Sequence, residues 1–206
     1  MQPSAPKIEI SQPRLFASGA VATVNAYGIV LLTPIFASIL AVSLMKFGVL
    51  TVLIPTLMVA ATAFFLPFGL GNTYVTRLVQ SLPSTAGNGP DGFIVQLTLS
   101  PRLRTGIRAV LEDADDIGLL SFNGTELVYQ GDSVKLTVPL DCIKAVTPEN
   151  IGLRGLFVYG RRIKVLVAGL SETESLEFAE RSSWVLPTSR ALTRKLHERL
   201  STTVRA

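Results

Sequence analysis

Few residues of this 206-residue sequence have the type and spacing that catalysis or metal binding needs. The one acidic run, residues 112–116, lacks the alternating Asp or Asn spacing and the following Gly of a calcium loop, which predicts a solvated helix end rather than a metal site. Cys142 lies in the apolar segment 138–146, which is typical of a small core residue. The only histidine, His197, lies on a basic helix, and no pattern pairs it with a nucleophile. We therefore predict that the protein is not an enzyme and holds no metal or cofactor.

Basic side chains are the remaining candidates, because cations beside an anionic membrane leaflet gain about 1 kcal/mol each. The possible lipid-facing residues fall in one loop and one hairpin: Arg102, Arg104, Arg108, Arg161, Arg162 and Lys164. A solvated turn is the other interpretation of the hairpin group. Nucleic acid is not expected as a partner. Residues 72–206 carry 16 Lys and Arg against 14 Asp and Glu, whereas phosphate-binding domains concentrate cations far more.

The segments that must position these residues differ in composition along the chain. Only four charged residues occur in residues 1–71, whereas the other 30 lie in residues 72–206. Residues 15–45 and 47–76 carry no charge, and Lys46 alone separates them. Each run exceeds the roughly 20 residues that cross a bilayer core as a helix. We therefore predict a membrane segment at 15–71, with transmembrane helices near 26–45 and 47–68 joined by a tight turn.

Two alternatives for this segment, a pair of buried core helices and a cleaved signal peptide, fit less well because the runs are long and adjacent. The flanking cations predict the orientation of the helical hairpin. Lys7, Arg14 and Arg77 flank the termini and only Lys46 flanks the turn, which favours cytoplasmic termini. Neither span contains an ionisable residue of the kind that marks an ion route, which favours an anchor over a transporter. We predict a multi-pass protein of the cell membrane that contacts membrane lipids.

The regions that flank the membrane segment are predicted to be a tail and a linker. Residues 1–14 form the predicted N-terminal tail, and residues 72–92 the predicted linker. Within the linker, residues 87–92 match a Gly-x-Gly-x-x-Gly pattern. A dinucleotide site needs a strand before that pattern and a helix after it, whereas here Pro90 interrupts the pattern and a strand follows. The composition is typical of a flexible joint.

A hydrophobic period of two, which is typical of half-buried strands, begins after Gly92. The predicted strands cover residues 93–99, 117–122, 126–130, 134–138, 155–159, 163–168 and 175–178. Asn123-Gly124 between the second and third strands is a strong hairpin signal. Residues 188–200 predict a helix, because Pro187 precedes them and a leucine recurs every four residues from Leu192.

These elements predict an α+β protein, in which an N-terminal transmembrane helical hairpin precedes a mostly antiparallel sheet or partly open barrel. The soluble domain covers residues 93–206, and its C-terminal helix caps the sheet. A domain of this size buries a core of its own. The runner-up fold is a five-stranded oligonucleotide-binding-type barrel. A terminal helix packed into the sheet opening argues against it.

The most specific pattern of the soluble half lies at residues 118–146. It consists of the segment 118–122, the Asn123-Gly124 turn, and Val138-Pro139-Leu140 followed by Ile143 and Val146. With the later strands and the helix, this pattern resembles a GRAM or bacterial pleckstrin-homology-like domain over residues 116–200. Residues 93–115 are additional to that pattern or shift its strand register, and Trp184 precedes the last helix instead of lying within it.

The resemblance implies binding rather than catalysis. Eukaryotic members of that superfamily often bind inositol lipids through cations in the loop after the first strand. If residues 117–122 are that strand, the loop has no cation, and this register matches the pattern better. If residues 93–99 are that strand, the loop carries Arg102, Arg104 and Arg108. We predict a module that binds a protein partner or the adjacent leaflet. The alternatives are headgroup binding and an accessory subunit of a membrane enzyme or transporter complex.

Overall fold

The computed structural model describes residues 5–12, 38–39, 53, 72–81, 92–103, 114–149, 162–170, 175–183 and 186–205. The two predicted transmembrane helices lie outside the described residues, except that residues 38, 39 and 53 are helical. Among the described residues, none of the helices has both the length and the apolar character that a bilayer crossing needs.

In the described part of the chain, the strands form one curled antiparallel sheet. They are β1 (Lys7–Ile10), β2 (Phe93–Ser100), β3 (Asp116–Phe122), β4 (Glu126–Gly131), β5 (Val134–Pro139), β6 (Ile143–Glu149), β7 (Arg162–Val167) and β8 (Ser175–Glu180). Their order across the sheet is β1-β5-β4-β3-β2-β8-β7-β6. The sheet therefore joins two meanders, β2 to β5 and β6 to β8, through the pairing of β2 with β8. The predicted α+β class with an antiparallel sheet and a C-terminal helix is confirmed.

Alternation of side chains explains how the sheet builds its core. The odd-numbered residues of β2, from Phe93 to Leu99, are buried, and Leu97 is fully so. In β5 the inward residues are Val134, Leu136 and Val138, as the sequence predicts. These apolar side chains share one cluster, because successive side chains of a strand point to opposite faces. The predicted strand at residues 155–159 lies outside the described residues.

The C-terminal helix α2 (Leu186–Arg205) closes the concave side of the sheet. Leu196 and Leu200 have no exposed surface and belong to the core cluster, whereas Leu192 is half-buried. The guanidinium of Arg199 lies over the ring of Phe122, 5.3 Å from its centroid. The helix predicted at 188–200 is thus confirmed at greater length, and its leucine stripe packs into the opening of the half-barrel.

The turn between β3 and β4 forms where the sequence predicts it. Gly124 has φ of +93°, a left-handed conformation that glycine adopts without steric penalty. The Asn123 side-chain oxygen accepts the N–H groups of Thr125 and Glu126 at 3.3 and 2.9 Å. These bonds hold the hairpin and place Leu120 opposite Tyr129 in the register of the two strands.

Two segments that are predicted to lie outside the soluble domain belong to it. Residues of the predicted tail form β1, which pairs with β5 so that Lys7 lies opposite Thr137 and Ile10 opposite Val134. The predicted linker begins as helix α1 (Asn72–Ser81), which packs near β3. The domain therefore receives elements from both sides of the apolar segment 15–71.

Candidate functional site

The loop that follows β2 carries the first group of candidate lipid-facing residues. Arg102 keeps 34% of its side chain exposed, and its Nε lies 4.0 Å from Oδ1 of the fully buried Asp115. The next residue, Leu103, is 44% exposed. This loop therefore presents an apolar side chain beside a cation at the surface. Arg104 and Arg108 lie outside the described residues.

Both candidate first strands, residues 93–99 and 117–122, belong to the same sheet. β2 pairs with β3 on one side and with β8 on the other, so it is the first strand of the β2 to β5 meander. Residues 93–100 therefore precede residues 116–122 in one sheet, and which of the two strands corresponds to the first strand of the superfamily stays a prediction. The loop after β2 carries Arg102, and β3 follows that loop.

The acidic run ends in buried carboxylates rather than in a solvated helix end. Asp115 and Asp116 have no exposed surface. Asp115 accepts the Leu99 N–H at 2.8 Å, and Asp116 accepts the N–H groups of Ser133 and Val134 at 3.1 and 2.8 Å. The prediction of a solvated end is wrong for these two residues, because their oxygens bind the backbone amides of distant strands and turns.

Burial raises the pKa of Asp116 from 3.8 to about 6. The accepted backbone N–H bonds favour the charged form and oppose this rise, and the neighbouring Asp132 carboxylate adds to it. Tyr129 lies beside Asp116, and its own pKa rises well above 10, mainly through burial. The tyrosine oxygen approaches the carboxylate without the geometry of a formed hydrogen bond. The hydrogen bonds of Asp116 thus hold the β4–β5 turn, and Asp116 and Tyr129 have no exposed surface.

The second group of candidate residues does not form a free cationic surface in the described part of the chain. Arg162 is only 5% exposed, and its Nη1 donates to Thr98 Oγ1 and to Glu177 Oε2, both at 3.2 Å. Its position does not suit contact with a lipid headgroup. Lys164 is partly exposed, and its Nζ lies 3.4 Å from Glu149 Oε1. Arg161 lies outside the described residues.

A buried carboxylate ties α1 and α2 to the end of β8. Glu180 is 2% exposed and accepts hydrogen bonds from the hydroxyls of Ser182, Ser183 and Ser189 and from the Ser182 N–H. Ser189 lies in the first turns of α2, so this carboxylate fixes the start of that helix. The Ser183 carbonyl in turn accepts Asn72 Nδ2 at 2.6 Å. The first residue of α1 is thus attached to the same junction.

The remaining candidates for chemistry do not form a catalytic group. Cys142 is half-buried against the core cluster, and burial, with a smaller contribution from Asp141, raises the pKa of its thiol. A thiol with a raised pKa is mostly protonated at neutral pH and is a weak nucleophile. His197 is half-buried on α2. Within the residues that the structure describes, no three histidine, cysteine or acidic side chains are grouped as a metal site requires.

Comparison with known proteins finds no match for this chain. No protein-family model matches the sequence, and no curated protein or solved structure does so either.

Two surface features of the domain had weak signals in the sequence. The alternation of charged and apolar residues at 7–10 is a strand signal, but it is only four residues long. Leu103 lies between two arginines in the sequence, and its exposure depends on the path of the loop after β2, which no local pattern indicates. Both features lie at the surface of the domain, where a binding partner can reach them.

Proposed function

We propose that this chain is an integral membrane protein that displays a non-catalytic, pleckstrin-homology-like interaction module at the cytoplasmic side. The observation that carries the proposal is that the sheet domain is formed by residues from both sides of the apolar segment 15–71. β1 comes before the apolar segment 15–71, and α1 and the strands β2 to β8 come after it. Because β1 is hydrogen-bonded to β5, both ends of the apolar segment leave from one folded domain.

This arrangement limits how the segment 15–71 can cross a bilayer. Two ends that belong to one domain lie on one side, so the number of crossings is even. Two helical spans need about 40 residues and four need about 80, so the segment has room for two. The result is the helical hairpin that the uncharged runs 15–45 and 47–76 predict. Lys7, Arg14 and Arg77 on the domain side favour the cytoplasm for that side.

The topology of the sheet supports a pleckstrin-homology-like module. Strands β2 to β8 form two consecutive meanders joined by the first and last strands, and a C-terminal helix packs into the opening. This is the plan of strands followed by a closing helix that the resemblance at residues 116–200 implies, with β2 added in front. Such a sheet binds ligands through its loops and edges rather than through an active site.

Fractionation and reporter fusions test the anchor and its orientation. The full-length protein is expected in the membrane pellet after alkaline carbonate washing. An alkaline phosphatase fused after Ala206 is expected to be inactive, whereas the same reporter fused after Lys46 is active, because that turn lies outside the cytoplasm. Comparing the two fusions controls for differences in the expression of the reporter. Protein that stays in the supernatant without detergent contradicts the anchor, and an active fusion after Ala206 contradicts the orientation.

A second candidate function, contact with anionic lipid through the loop after β2, is favoured by one observation. Leu103 is 44% exposed beside the partly exposed Arg102, and this combination suits insertion of an apolar tip under anionic headgroups. A nitroxide at Leu103→Cys, in a Cys142→Ala background, is expected to gain oxygen accessibility in nanodiscs when phosphatidylserine is included. A label at the exposed Lys135 is the control, and equal changes at both positions contradict the contact.

Purification of the full chain distinguishes a protein partner from a lipid partner. A module that binds protein is expected to retain a polypeptide in stoichiometric amount when the full chain is purified in mild detergent. In the alternative, in which the chain is an accessory subunit, that polypeptide belongs to a membrane enzyme or transporter. Retention of lipid alone favours the leaflet as the binding partner.

A further inference from the structure

The two edge strands of the described sheet, β1 and β6, differ in how well they could accept another strand. β6 contains Pro148, which has no N–H to donate, has an irregular register between Ile143 and Ala145, and contacts α2. β1 contains no proline and is exposed. Its Ile10 side chain is 49% exposed, and the side chains of Lys7 and Glu9 are 72% and 54% exposed. β1 is therefore the edge that is open to pairing.

The backbone of β1 has its free hydrogen-bonding groups at alternate residues. Ser11 donates its N–H to the Ser133 carbonyl at 2.7 Å, which directs the backbone of Ser11 toward β5. In an antiparallel pair, alternate residues direct their N–H and C=O groups to the same neighbour. Glu9 and Lys7 therefore face β5 as Ser11 does, and Ile8 and Ile10 direct their backbone groups to the open side.

This edge is complementary to itself. When two β1 strands lie antiparallel with Ile8 opposite Ile8 of the second copy, the two isoleucines exchange both backbone hydrogen bonds. Lys7 and Glu9 of one strand already form an ion pair. In that register each also lies opposite the oppositely charged residue of the second copy, so opposite charges meet twice across the contact. Ile10 lies opposite Pro6, whose carbonyl accepts the Ile10 N–H. The contact is two-fold symmetric, as contacts between identical subunits commonly are.

We propose that two copies of this chain pair through β1, antiparallel about Ile8, to join their sheets into one. Four residues a side bury less than the roughly 1,200 Å² of a stable interface in solution. Pairing therefore depends on a high local concentration, which two copies in one membrane supply. In this respect the inference rests on the proposed membrane anchor. An unrelated extended peptide is the other possible occupant of the edge, and the experiment below distinguishes it.

Disulfide trapping tests the register directly. In a Cys142→Ala background, a Lys7→Cys chain and a Glu9→Cys chain with different tags are co-expressed, and their membranes are treated with a mild oxidant. Residues 7 and 9 of the two copies are directly opposite, with Cα atoms about 4.5 Å apart, whereas residues 7 and 7 are offset by two positions and lie beyond disulfide reach. We expect about tenfold more cross-linked dimer from the mixture than from either variant alone.

A charge swap provides a second measurement that does not need cysteines. Energy transfer between fluorescent fusions after Ala206 reports association in native vesicles. Lys7→Glu places four acidic residues at the interface, and we expect about a tenfold weaker association. The double variant Lys7→Glu, Glu9→Lys restores the opposite charges and is expected to restore the transfer. Both residues are exposed, so the fold tolerates the changes.

Each outcome bears on the pairing. A mixed cross-link that exceeds the single-variant controls, together with rescue by the swap, supports it. Equal yields in mixture and controls overturn it, and so does a cross-link only to a chain of another mass, which identifies a different occupant. Carbonate washing of the same membranes reports on the anchor alone. A protein that washes off but still cross-links between positions 7 and 9 therefore overturns the proposed function and leaves the β1 contact standing.

Discussion

The ionisation of Asp116 gives the sharpest test of how the sheet domain is stabilised. The carboxyl group is fully buried and accepts the N–H groups of Ser133 and Val134, next to Asp132 and Tyr129. Burial raises its pKa from 3.8 to about 6, so the folded protein binds this proton more tightly than the unfolded chain does. Such a difference corresponds to about 3 kcal/mol of free energy, at 1.36 kcal/mol per pH unit.

The sign of the pH dependence follows from proton binding. Below about pH 3.8 the carboxyl group is protonated in both states. Between about pH 3.8 and pH 6 the unfolded chain releases the proton while the folded chain keeps it, so the free energy of unfolding falls as the pH rises. Above about pH 6 the carboxylate is charged in both states, and the loss, about 3 kcal/mol from this group, is complete.

Asp116→Asn isolates this contribution, because asparagine has a similar shape, keeps one acceptor oxygen and does not ionise. The free energy of unfolding of both proteins is measured in detergent by urea titration, with the fluorescence of Trp184 as the signal. We expect the wild-type value minus the variant value to fall by about 3 kcal/mol between pH 3.5 and pH 7. Glu198→Gln, which removes an exposed carboxylate on α2, is the control and is expected to show no such fall.

The opposite slope would refute the reasoning. If the difference between wild type and Asp116→Asn rises with pH, the accepted N–H bonds outweigh burial and the pKa of the carboxyl group is lowered in the folded state. A flat difference means that water reaches the group and the burial penalty is absent. Either result contradicts the conclusion that burial disfavours the charged form of Asp116 more than its hydrogen bonds at the β4–β5 turn favour it.

Three further perturbations address other parts of the domain. Glu180→Ala leaves three serine hydroxyls, two of them on the buried Ser183 and Ser189, and one N–H without their acceptor, so urea titration is expected to show a loss of about 2–4 kcal/mol. Ser182→Ala, at an exposed position, is expected to lose no more than about 1 kcal/mol. Gly131→Ala places a methyl group on the Asp116 carboxylate and is expected to lower stability by about 1–3 kcal/mol through this contact, whereas the loss for Gly124→Ala, where the space is open, comes from the φ of +93°. Joining residues 5–12 through a Gly-Ser linker to residues 72–206 is expected to give a soluble domain whose β5 amides exchange more slowly than in the same domain without residues 5–12. Equal exchange rates contradict the pairing of β1 with β5.

The prediction of the sheet from the sequence succeeded where the signal is local. The alternation in β2 and β5, the Asn123-Gly124 turn and the leucine stripe of α2 depend on residues a few positions apart, and each matches the structure. The uncharged runs within 15–71 are likewise a local property. They carry the prediction of a helical hairpin, which stays a prediction because it lies outside the described residues.

The sequence could not identify contacts between distant residues. Asp116 looked solvated within its acidic run, but the residues that bury it and bond to it, Ser133 and Val134, follow two strands later. Arg162 looked like a free cation at a turn, but Thr98 on β2 and Glu177 on β8 lie across the sheet from it. Both misreadings concern charged side chains, whose environment depends on what packs against them.

The sequence by itself therefore determined most strands of the sheet, the Asn123-Gly124 turn and α2, because side-chain periodicity and turn chemistry act over a few residues. It did not predict β1, β6 or α1. Only the tertiary structure decided that β1 joins β5 and that β2 leads the meander, because strand pairing selects partners from the whole chain. The same long-range packing decided which charges are buried. Burial is a property of the assembled sheet, and no short stretch of sequence contains the neighbours that produce it.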